Sequence, residues 1–294
     1  MKAAAFSGGG RKGAFQAGML FEIAERDALP EYLVLGGTSV GAIAAAHLAA
    51  APMGALKTAV ETYADFWLAL SGNEAVYEHW FLIRELAGIL YRDAFYDSTP
   101  LQDYLKKNVD QAGIQSSGRK LRINAVGYGS GEHRVIDETE DDLWQWVVAS
   151  SAFPGFLLPM RRDDELWIDG GVRVMTPLKA LIEAGATDID VFLASPLKQK
   201  GMNPNDNEAG TDVTGLSVAL RALDLMTHEL FLRDIKDCLR CNRLVAAGLE
   251  PDKKHIDLRV FAPTQHVDDS LDFDPAVTRE LFDHGRAIIK GMDL

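Results

Sequence analysis

Gly37-Thr38-Ser39-Val40-Gly41 lies between a short aliphatic run, Tyr32-Leu33-Val34-Leu35, and an alanine-rich stretch from Ala42 to Ala51. A G-x-S-x-G between a strand and a helix is the setting of a nucleophile elbow. The requirement is steric. A serine pushed out on a sharp turn has a strained backbone, and side chains two residues to either side collide with neighbouring elements. Gly37 and Gly41 meet that need. The helix that follows aims its N-terminus at Ser39 and favours negative charge there. Ser39 is therefore the candidate nucleophile of an acyl hydrolase.

Working outward, Lys2 to Phe6 predicts a strand, Ser7-Gly8-Gly9-Gly10-Arg11-Lys12-Gly13 a glycine-rich turn, and Ala14 to Arg26 a helix with Phe15, Met19 and Ile23 on one face. With Tyr32–Leu35 as the second strand, the chain starts strand–helix–strand–helix. Such alternation implies a mainly parallel sheet with helices on both faces. Leu56 to Leu70 is a further helical pattern. Residues 67–96 are rich in aromatic and aliphatic side chains and predict a helical insertion packed on the core, with a cap or lipid-facing surface as the functional alternative. Thr99-Pro100-Leu101 signals a helix start. Lys120–Tyr128 and His133–Ile136 predict a hairpin through Gly129-Ser130-Gly131, and Asp141 is the expected cap of a helix running to about Ser150. Leu166-Trp167-Ile168 is a short strand ending at Asp169-Gly170-Gly171. Further expected elements are a helix Pro177–Glu183, a buried strand Ile189–Ala194, a surface loop 198–214, a long helix bearing Leu216, Leu220, Leu223 and Leu230, a strand His255–Phe261, and a last helix opened by Asp274-Pro275. Without a repeat or a linker, residues 1–294 are expected to form a single domain.

The 294 residues suffice for a large core, and 47% apolar with 25% charged residues is ordinary for a globular protein. A net charge of −13 argues against nucleic acid as a partner and gives no general attraction to anionic bilayers, so any membrane contact, expected to be transient, would have to be local or apolar. The sequence carries no clue to oligomeric state. Two cysteines, Cys238 and Cys241, exclude a disulfide framework and suit a reducing, cytoplasmic compartment; their C-x-x-C spacing on a helical stretch reads as packing. Tyr32 to Leu56 carries no Asp, Glu, Lys or Arg, but it contains four glycines, Pro52 and His47 and is rich in alanine, and strand–turn–helix explains it better than a membrane span.

Ester acyl transfer needs a nucleophile, a base and donors for the oxyanion. The Gly8-Gly9-Gly10-Arg11 turn can supply the donors as bare backbone N–H groups near a helix N-terminus. The same turn spells G-x-G-x-x-G, a dinucleotide fingerprint, but Leu35 leads into Gly36-Gly37 where an acidic residue should cap the second strand. For the base, the chain order of an α/β-hydrolase would place a late histidine, His255, His266 or His284, beside the serine. A carboxylate in direct contact with the hydroxyl can serve instead, and Asp169 at a strand end followed by two glycines is suited to it.

The motifs Gly8-Gly9-Gly10-Arg11-Lys12-Gly13, Gly37-Thr38-Ser39-Val40-Gly41, Ala149-Ser150-Ser151-Ala152-Phe153-Pro154 and Asp169-Gly170-Gly171 follow one another as in the patatin-like phospholipases, which this chain resembles over residues 5–171. The resemblance implies a three-layer α/β/α sandwich and a Ser39–Asp169 dyad without an essential histidine, metal or cofactor. It also implies an oxyanion hole in the glycine turn and a phospholipid or other acyl-lipid substrate. An acyltransferase of the malonyl-transferase type, which pairs serine with histidine, and a nucleotide-binding oxidoreductase are the alternatives.

Overall fold

The computed structural model describes residues 1–79, 94, 96–197, 215–264 and 272–294. Residues 80–93 and 95 of the expected aromatic insertion, the loop 198–214 and His266 therefore lie outside the described residues. The strands are β1 (Lys2–Phe6), β2 (Val34–Gly37), β3 (Glu78–His79), β4 (Tyr96–Asp97), β5 (Lys120–Gly127), β6 (His133–Asp137), β7 (Met160–Arg162), β8 (Glu165–Asp169), β9 (Asp188–Phe192) and β10 (Asp257–Phe261). The helices are α1 (Gly13–Glu25), α2 (Val40–Ala49), α3 (Leu56–Leu68), α4 (Thr99–Asn108), α5 (Gln111–Ser116), α6 (Leu143–Ser151), α7 (Leu178–Glu183), α8 (Gly215–Ala246) and α9 (Pro275–Lys290).

Among the described residues, eight strands form one sheet in the order β10-β9-β1-β2-β5-β8-β7, with β6 also on β5. The five strands from β10 to β5 are parallel, and β6, β7 and β8 join antiparallel. The pleat separates two cores. Ala4, Phe6, Leu35, Ile123 and Phe192 face one, under α1, α2, α3, α6 and α9. Ala3, Ala5, Val34, Ile189 and Val191 face the other, with Leu178 and Leu181 of α7 and Phe231, Ile235 and Cys238 of α8. This is the α/β/α sandwich expected, and its central strand, β1, is nearly all alanine because it is covered on both faces. Cys238 is a core residue, and burial pushes its thiol up to about 11.

Helix α1 and helix α9 touch backbone to backbone. A Cβ on Gly18 would stand 2.0 Å from the Phe282 carbonyl oxygen, and one on Gly285 would stand 2.2 Å from that of Phe15. Gly18→Ala is expected to cost about 2 kcal/mol or more in a urea titration, overpacking outweighing the better helix propensity of alanine.

Several boundaries differ from expectation. The second strand is Val34–Gly37 rather than Tyr32–Leu35. Tyr32 instead turns inward, its hydroxyl donating to Asp190 at 2.7 Å. Asp190 is fully buried and also accepts from Lys2 at 2.7 Å and from Arg259 at 2.9 and 2.7 Å, which together hold its carboxyl below the usual range despite burial. Asp141 does not cap α6. The N-cap is Asp142, whose left-handed φ of 51° leaves its side chain without a capping bond, and the Leu143 N–H donates to Gln111 Oε1 at 3.1 Å. The last helix starts as read, with Asp274 accepting from the N–H groups of Ala276 and Val277.

Candidate active site

Strand β5 organises the site. One of its edges carries β6, from Arg122 paired with Asp137 to Val126 paired with His133. The other edge is shared. Strand β2 pairs along it as far as Gly37 opposite Ile123, and β8 then takes over with Asp169 opposite Ala125. The end of β2 and the end of β8 thus meet on one edge, offset by two residues of β5, about 7 Å. The serine turn leaves β2 there, and the carboxylate arrives there from the opposite direction.

Ser39 has φ 58° and ψ −130°, a conformation that non-glycine residues adopt only under constraint, and it is half-buried. Its neighbours explain the two glycines. A Cβ on Gly37 would stand 1.9 Å from the Gly41 carbonyl oxygen, and one on Gly41 would stand 2.3 Å from that of Phe6. The elbow is fixed from below by Asn124, fully buried, whose Nδ2 donates to Thr38 Oγ1 at 2.9 Å. His133 bonds Asn124 Oδ1 at 3.0 Å through Nε2. Burial, with Arg173 and Lys179 nearby, holds that imidazole below its usual pKa.

Asp169 is 1% exposed. Its Oδ1 accepts from the Gly171 N–H at 2.7 Å, and its Oδ2 is buried without an aligned hydrogen-bond partner. Burial raises the pKa to about 7, with the facing Ser39 hydroxyl and the Gly171 N–H pulling it down by less. The Ser39 hydroxyl is near enough to act on the carboxyl's pKa, and no hydrogen bond joins it to Oδ2. Gly170 leaves the turn room against β5, since a Cβ there would stand 2.5 Å from the Asn124 carbonyl oxygen.

The glycine turn lies against the elbow. A Cβ on Gly8 would stand 3.0 Å from that of Ser39. The expectation that Gly8 donates to an oxyanion needs correction, because its N–H is directed to the Met175 carbonyl at 3.3 Å. Gly8 supplies space; Gly9, Gly10 and Arg11 keep their places in the turn that opens α1. Arg11 and Lys12 of this turn are both buried, and Arg11 Nη1 donates to the Asp272 carbonyl at 2.5 Å and pairs with its carboxylate at 3.4 Å.

The residues that sequence reasoning missed are supports. Asp234 on α8 accepts from the Thr176 N–H at 2.9 Å and pins the loop that follows Asp169, burial raising its carboxyl to about 6. Met175 in that loop borders both Gly8 and Gly171. Among the described residues no histidine hydrogen-bonds to Ser39. His255 lies by Asp257 at 3.6 Å, and His284 packs edge-on against Phe15. No helix among the described residues is long and apolar enough to cross a membrane.

A mainly parallel sheet between two helical layers, with a strained serine turn at the end of β2, defines an α/β/α scaffold. The patatin-like phospholipase profile matches residues 4–182, and the chain belongs to that family. Membership supports lipid acyl hydrolysis as its general chemistry. Among solved structures, VipD from Legionella pneumophila is similar over 96% of this chain, with 12% identity and a TM-score of 0.40; the match spans 66% of the VipD chain, and at that distance the likeness carries no weight. A search of curated proteins finds no match.

Proposed function

We propose that the protein releases fatty acids from phospholipids or other acyl lipids, with phospholipase A or lysophospholipase character, through a Ser39–Asp169 dyad. The observation that carries this reading is the meeting of the elbow and Asp169 on one edge of β5. Asp169 takes the Ser39 proton as Oγ attacks the acyl carbonyl carbon. The developing oxyanion is held by the backbone N–H groups of Gly9, Gly10 and Arg11. Asp169 returns the proton to the departing alcohol, an acyl-enzyme remains, and Asp169 then activates the water that frees the fatty acid. No metal or cofactor is required. We place this activity in the cytoplasm, with transient contact to a membrane surface.

A carboxyl whose pKa is about 7 is well matched to proton transfer near neutral pH. It acts as base only when ionised. kcat/KM on a short acyl ester is therefore expected to fall about tenfold per unit as pH drops below about 7, read from a pH–rate profile. Mass spectrometry of products from a mixed lipid extract tests the substrate class. Free fatty acids and lyso-lipids that appear with the unmodified protein and vanish with Ser39→Ala support the reading; an unchanged extract counts against it.

A further inference from the structure

The last turn of α6 reaches both halves of the site. Ser150 is 0% exposed, and its Oγ accepts from the Ser39 N–H at 3.1 Å. The next residue, Ser151, donates from Oγ to the Ser39 carbonyl at 3.3 Å. The residue after that, Ala152, accepts at its carbonyl from the Asp169 N–H at 2.9 Å. Three consecutive residues thus grip the nucleophile's peptide on both sides and the main chain of the carboxylate.

We infer that Ser150-Ser151-Ala152 is a bracket that fixes Ser39 in its strained conformation and sets its distance from Asp169, with Ser150 the principal positioning residue for nucleophilic attack. The inference rests on the hydrolase reading above. A residue at φ 58°, ψ −130° persists only where its surroundings over-determine it. The Ser39 carbonyl has a second donor, the Ala42 N–H at 2.8 Å, so it keeps a partner when Ser151 is truncated. Ser150 Oγ is the acceptor seen for the Ser39 N–H, and truncation leaves that N–H unmatched and the turn free to relax. The two serines are therefore unequal by construction.

The test compares Ser150→Ala, Ser150→Thr and Ser151→Ala with the unmodified protein. The readouts are kcat and KM on a short acyl ester, and the rate at which a fluorophosphonate labels Ser39. Ser150→Ala is expected to lower kcat and the labelling rate together by about 100-fold, the penalty of a small displacement of a reacting atom, with KM within about twofold. Ser151→Ala is expected to lower both by less than Ser150→Ala does. Ser150→Thr, which retains the oxygen, is expected to recover most of the rate. A merely structural role would instead lower the unfolding midpoint while leaving the folded fraction fully reactive. Full reactivity of folded Ser150→Ala overturns the bracket. If that variant does not fold, wild-type rates in Ser151→Ala overturn it, and a reduced kcat at unchanged KM supports it. Labelling of Ser39 that none of the substitutions alters overturns the bracket alone, whereas no labelling of Ser39 in the unmodified protein overturns the hydrolase reading and the bracket with it.

Discussion

Ser39→Ala and Asp169→Asn are each expected to reduce hydrolysis of a short acyl ester by about four orders of magnitude, or about 5.5 kcal/mol of transition-state stabilisation. The two substitutions act at one step from opposite ends. Alanine removes the attacking hydroxyl of the proposed mechanism, so no acyl-enzyme can form. Asparagine preserves shape and can still accept from the Gly171 N–H, as Asp169 Oδ1 does at 2.7 Å. Its amide nitrogen has no lone pair with which to take a proton. Losses of similar size in both, and no further loss in the double variant, are the mark of residues that work as a unit. Steady-state kinetics on the three variants check this, with the unfolding midpoint of each confirming that the protein is folded.

The second large effect is on stability, and it has the opposite sign for the protein. Asp169 has a folded pKa raised from 3.8 to about 7, mainly by burial. The folded state thus holds this proton up to about pH 7, while the unfolded chain gives it up near 3.8. Relative to a neutral side chain, no stability is lost below the unfolded value. The deficit grows as pH rises from 3.8 to about 7 and then levels, reaching about 4 kcal/mol. Asp169→Asn does not titrate, so its advantage over the unmodified protein is expected to widen between pH 5 and pH 8. Urea unfolding of both proteins across that range measures it. Ser39→Ala retains the carboxyl and removes a hydroxyl that lowers its pKa, so it is expected to keep the unfavourable pH dependence. A residue that weakens the fold at the pH where it must act is the usual cost of a buried base.

The serine turn was fully legible in the sequence because its constraints are local. Gly37 and Gly41 are demanded by atoms within a few residues or on the adjoining strand, and that demand shows in the spacing itself. Asp169 was legible only through its turn and the order of motifs. Ser39 lies 130 positions away in the chain, and the ends of β2 and β8 meet only through their succession along β5, which depends on the pairing of the whole sheet. For that reason the residues alone leave the base open between Asp169 and a late histidine, and it is the resemblance to the patatin-like phospholipases that implies Asp169. The commitment of the Gly8 N–H to Met175 could not be read, since a glycine reveals freedom but not direction. The burial of Arg11 could not be read either, since nothing local announces the Asp272 segment that pairs with it. Ser150 and Ser151 stood in a recognised motif without a role, as the bonds they make to Ser39 appear only when α6 is docked. The shift of β2 toward Gly37 has the same origin. Bare glycines have poor strand propensity, yet the space beside Leu181 and the Gly41 backbone requires them there.

The most direct test of the Ser39–Asp169 pair is to map and time phosphonylation of the intact protein by a fluorophosphonate as a function of pH. The expected result is a single modified peptide containing Ser39, with a rate that rises through an apparent pKa near 7 and falls by orders of magnitude in Asp169→Asn. Modification at another residue, or an Asp169→Asn variant that reacts at the unmodified rate with the same pH profile, would contradict it.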